Sequence, residues 1–142
     1  MKTNNFKAII TKFNQLAWHD SEVLSFFLTE NDLGHDMELT VNLFEANGLN
    51  SYEKNIRVIK FKQCRVITMD LDLLGMKLCG GTISSAICST DSIGVELKER
   101  NKIREFDLPQ ENLPLKECLV FEIEMIHPSG NMIIFAKDFE IT

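Results

Sequence analysis

Apolar residues recur at every second position over long stretches of this chain. Met37, Leu39, Val41 and Leu43 alternate with Glu38, Thr40 and Asn42. A period of two sends alternate side chains to opposite faces of an extended backbone, so this segment predicts a half-buried β-strand. Leu24, Phe26 and Leu28 alternate with Ser25, Phe27 and Thr29, which predicts a strand over 22–30. Between the two, Asn31-Asp32-Leu33-Gly34 has the turn chemistry of an antiparallel hairpin. Further strands are predicted at 55–61, 64–73 and 83–88. A last hairpin follows, in which Leu119, Phe121, Ile123 and Met125 alternate with Glu122 and Glu124, and Pro128-Ser129-Gly130 turns the chain. Residues 132–136 are apolar on both faces, as suits a central strand.

The period differs at the N-terminus. Phe6, Ile9, Ile10, Phe13 and Leu16 fall on one face of a helix over 4–16, with Thr3 or Asn4 as its cap. Over 92–106, Leu97, Ile103 and Phe106 among dense charges suit a short exposed helix, which Gly94 and Asn101 oppose. Pro109 and Pro114 bound a loop. Strands succeed one another through short turns instead of crossover helices. The fold class expected is therefore α+β, mainly antiparallel β. About seven strands would form a sandwich or a curved half-barrel, with the N-terminal helix packed on it. With 142 residues, 44% hydrophobic and 25% charged, the chain has the size and composition of a single globular domain, 1–142, β-rich from 22 onward.

The formal charge of −6 argues against nucleic-acid binding, which rests on cations that neutralise phosphates. Its distribution is more informative than its sum. Residues 19–53 carry eight acids and no Lys or Arg, whereas 54–65 carry Lys54, Arg57, Lys60, Lys62 and Arg65 and no acid. Two expectations follow. Either the two segments pair across neighbouring strands, or the acids face a partner. No apolar run is long enough to span a bilayer, and 1–16 lacks the apolar core of a secretory signal, so a cytoplasmic protein with reduced thiols is expected.

Few residues suggest chemistry. Trp18-His19-Asp20-Ser21 holds the only Trp and lies between the helix and the first strand. Trp18 would either staple the helix to the sheet or wall a cleft beside His19 and Asp20. Adjacent His and Asp on a strand project to opposite faces, which opposes a shared site. No nucleophile elbow accompanies Ser21. Cys64 and Cys118 are formal nucleophile candidates for His19, His35 or His127, yet each lies in or beside an apolar strand, where thiols act as small hydrophobes. Asp70 and Asp72, on one face of a predicted strand, with Glu122 or Glu124 nearby, would form a weak oxygen-ligand set. Gly80-Gly81-Thr82 lacks the Lys of a phosphate loop. No metal or cofactor is expected.

The Trp-His-Asp box just before the first strand resembles the start of small bacterial β-rich domains, some grouped with immunity proteins of polymorphic toxin systems. The Cys64 strand and the final hairpin through Ile134-Phe135-Ala136-Lys137-Asp138-Phe139 are similar in layout. That resemblance implies a β-rich fold, a protein-binding role and no catalytic residues. It marks Trp18, His19 and Asp20 as signature positions. The expected function is thus a non-enzymatic protein-interaction domain. An immunity-type protein would bind a basic toxin through an acidic face that includes Glu30, Asp32, Asp36 and Glu38. The alternative is a small-molecule or carbohydrate-binding β-domain, enzymatic or not, with a cleft near Trp18. A third expectation is a homo-oligomer joined through unpaired sheet edges.

Overall fold

The computed structural model describes residues 2–48, 51–90 and 118–142. The 92–106 helix and the loop between Pro109 and Pro114 lie outside these residues. The described chain runs α1 (Lys2–Asn14), β1 (Glu22–Asn31), β2 (Gly34–Ala46), β3 (Tyr52–Lys62), β4 (Val66–Asp70), α2 (Leu73–Cys79), β5 (Thr82–Thr90), β6 (Leu119–Ile126), β7 (Gly130–Ala136) and β8 (Asp138–Ile141). It is mostly antiparallel β with two short helices. The eight strands form one sheet, in the order β4-β7-β6-β5-β1-β2-β3-β8.

Two departures from the expected elements have local causes. The strand predicted over 64–73 ends at Asp70, and α2 follows. Asp72 starts that helix: its side chain accepts from the Gly75 N–H at 2.9 Å, satisfying a donor that the first turn leaves free. An eighth strand also appears, because the last hairpin continues past Lys137 into β8. The β4–β7 ladder pairs Val66 with Phe135, and the β3–β8 ladder pairs Lys62 with Asp138. Between them, Arg65 N–H donates to Phe135 O and Lys137 N–H to Lys62 O. One long pairing of two chain segments thus changes register by a residue at the junction. Gly130 begins β7 where a Cβ would lie 2.7 Å from the Asp70 carbonyl oxygen, so only glycine allows this approach of β7 to β4.

The inner faces of β2, β3, β5, β6 and β7 supply the core, including Leu39, Val41, Leu43, Ile59, Phe61, Ile83, Phe121, Ile123, Met132 and Ile134. Phe13 of α1 is fully buried among them. Its ring lies 4.7 Å from Trp18, 4.9 Å from Phe121 and 5.2 Å from Phe139, mostly tilted or edge-on, as aromatic quadrupoles prefer. β7 is flanked by β4 and β6 and buried from Met132 to Ala136, in keeping with its two apolar faces. No helix among the described residues is long and apolar enough to cross a membrane.

Candidate interaction surface

The Trp-His-Asp-Ser box forms the corner between α1 and β1. Trp18 is buried, and its Nε1 donates to the Phe13 carbonyl at 2.9 Å. Its ring therefore belongs to the core. Ser21 is buried as well: its Oγ donates to Ala17 O at 2.6 Å and accepts from Phe44 N–H at 2.9 Å, tying the corner to β2. The turn signal of the box gave no hint of this second contact, because Phe44 is remote in sequence. His19 and Asp20 are both exposed. Asp20 takes a left-handed φ of 65°, so the pair sits in a turn and not in a strand. The expectation of opposite faces is corrected accordingly: His19 Nε2 lies 3.6 Å from Asp20 Oδ1, and His19 Nδ1 lies 3.1 Å from Ser84 O. Water screens such an exposed pair strongly.

The acidic run divides. Asp36 and Glu38 are ion-paired to the next strand, at 3.0 Å to Lys62 and 3.2 Å to Lys60. Glu45 meets Arg57 at 3.1 Å, and Glu22 meets Lys54. The antiparallel register of β2 with β3 sets Glu38 opposite Lys60, and four of the eight acids are balanced inside the sheet in this way. Asp36 is the buried member. It also accepts from Gln63 N–H and Asn31 Nδ2, each at 2.9 Å. Burial would raise its pKa. The Gln63 amide, Lys62 and Asn31 outweigh that and hold the carboxyl below its usual value. The bond to Asp36 in turn raises Lys62 above the usual lysine range. Glu30 and Asp32 remain exposed at the tip of the β1–β2 hairpin.

The other candidates do not converge. Asp70 and Glu124 line one shallow hollow with Ser84 and Asn131, but Asp72 is engaged at the start of α2. The two aspartates therefore do not share a strand face. No metal-binding group of three or more His, Cys, Asp or Glu occurs among the described residues. Cys64, Cys88 and Cys118 are buried, and burial pushes the thiols of Cys64 and Cys88 up to about 12, far from a reactive thiolate.

What the sequence did not suggest is an apolar surface around α2. No residue of this helix is buried, and Leu73, Leu74 and Leu78 are 60%, 67% and 75% exposed. Periodicity hid it, because Leu73 completes the apparent strand alternation from Ile67. Across a hollow of about 360 Å³, Leu73, Met76 and Lys77 face Val23, Leu24, Ser25 and Phe26 of β1. Further along β1, Phe27 and Leu28 are 49% and 61% exposed. Trp18 lines neither this hollow nor the one at Asp70. No protein-family model matches the chain, and no curated protein matches it.

Proposed function

We propose that this chain is a non-enzymatic protein-interaction domain that docks another protein on the apolar surface of α2 and the start of β1. The observation that carries this reading is the exposure of Leu73, Leu74 and Leu78 on a helix with no buried residue. A seven-residue helix gains little from propensity alone and normally depends on burying an apolar face. An apolar patch left in water on a folded domain marks a contact site. The buried thiols and the engaged Ser21 hydroxyl support binding over catalysis. In this reading the sheet is a curved half-barrel with α1 packed on its inner side, which leaves α2 outside.

The Trp-His-Asp resemblance makes a toxin of the polymorphic type the partner class, with this chain as its immunity protein. Asp36 and Glu38 are absorbed by Lys62 and Lys60, so Glu30 and Asp32 are the acids available to steer a basic partner. Co-purification with the product of the adjacent gene tests the reading. Leu74→Glu with Leu78→Glu should abolish capture, and Glu30→Gln with Asp32→Asn should flatten its salt dependence. Undiminished capture by the leucine variant would sink the α2 surface.

A further inference from the structure

We propose that the outer edge of β1 pairs with the same edge of a second copy of this chain, antiparallel about a twofold axis at Phe27. β1 is paired with β2 from Glu22 with Asn42 to Asn31 with Gly34, with one bulge at Leu24. On its other side the only ladder partner is Thr82 of β5, opposite Glu22, with Val23 N–H donating to Gly81 O. Beyond that point β5 diverges, and α2 lies across a hollow from Val23 to Phe26. Among the described residues, Ser25–Asn31 have no ladder partner on this side. Their outward N–H and C=O groups form a template for one more strand.

The strand's own composition selects the occupant. From Val23 to Thr29 it carries no charge, no Pro and no Gly, and so lacks the features with which sheet edges repel a neighbour. Leu24-Ser25-Phe26-Phe27-Leu28-Thr29 is apolar, rich in β-formers and self-complementary. A twofold axis perpendicular to the sheet sets a residue opposite itself. Centred on Phe27, it opposes Phe26 with Leu28 and Ser25 with Thr29, which are favourable cross-strand pairs. Centring on Phe26 would instead oppose Glu22 with Glu30. The contact is isologous, so it closes at two copies and ends the edge. A second copy is also the one strand always present at the same concentration as the edge it protects.

The inference shares Leu24 to Phe26 of β1 with the α2 reading, but Leu74 and Leu78 take no part in it, so variants at those leucines tell the two apart. Sedimentation equilibrium of the full chain, from low to high micromolar concentration, should give twice the chain mass. Phe27→Lys sets two lysines opposite each other and should weaken self-association by more than about tenfold, with the circular dichroism unchanged. Leu74→Glu with Leu78→Glu should stay dimeric. A second variant avoids charge: Phe27→Cys in a Cys79→Ser background should form a covalent dimer on mild oxidation, and Cys79→Ser alone should not. A monomeric wild-type chain would overturn the proposal. So would a Phe27→Lys dimer as tight as the wild type, or absence of the Phe27→Cys cross-link.

Discussion

Two strands, β1 and β5, meet at Glu22 and Thr82 and then part, and the fold treats the two edges so exposed in opposite ways. The β5 edge is sealed from within. Asn14, the last residue of α1, donates from Nδ2 to Cys88 O at 3.1 Å and accepts at Oδ1 from Cys88 N–H at 2.7 Å. A side-chain amide thus completes what a neighbouring strand would have bonded. Phe13, one residue earlier, anchors the same helix in the aromatic core. The β1 edge has no such bond beyond Val23 among the described residues, and its first half faces the hollow under α2. It is held only from its paired side, where Asp36 gathers Asn31, Gln63 and Lys62 behind the hairpin tip. Among the described residues, one edge is bonded by a side chain of the chain itself, and the other has no ladder partner beyond Glu22.

The comparison can be broken most forcefully at Phe13. Phe13→Ala should cost about 3–5 kcal/mol in denaturant unfolding, since it empties a fully buried aromatic site and releases the helix that seals β5. Asn14→Ala leaves the packing but orphans two part-buried backbone groups, at a cost of about 2 kcal/mol. Its specific sign is faster hydrogen exchange at the Cys88 amide, with exchange in β1 unaffected.

On the open side, acid should loosen the hairpin. The Asp36 carboxyl titrates below its unfolded value, so its contribution is complete above that value, near pH 4. It is lost as pH falls through the lower folded value. Asp36→Asn should cost about 1–2 kcal/mol at neutral pH and flatten the acid limb of the stability curve. A steep acid limb retained in this variant would remove Asp36 as its source. The smallest effect on folding is expected at the open edge. Phe27→Lys should change the unfolding free energy of dilute protein by no more than about 0.5 kcal/mol, because an exposed site opposite Glu38 loses little when it gains a cation.

Strands whose alternation has one buried face were legible in the sequence. β2 and β6 show buried residues at every second position because each has core on one side and another environment on the other. α2 was not legible. Its leucines imitate the continuation of a strand, and the decisive feature is the bond from Gly75 N–H to the Asp72 carboxylate. The acidic run was legible as a charge pattern but not as a surface. Two acids of the expected face, Glu30 and Asp32, are exposed, and two, Asp36 and Glu38, are neutralised. The difference lies in where the β2–β3 register sets the lysines. Strand geometry puts His19 and Asp20 on opposite faces, and the positive φ of Asp20 brings them together.

The sequence by itself determined that this chain is built mainly of antiparallel strands, because side-chain periodicity is a local property of the backbone. It also determined that acids and bases occupy successive segments. Only the tertiary structure decided which of those charges meet, which strand edge Asn14 closes and which has no ladder partner among the described residues. Those outcomes depend on register and on contacts between residues far apart in the chain. Asn14 and Cys88 are 74 positions apart, and no local pattern records a bond across that distance.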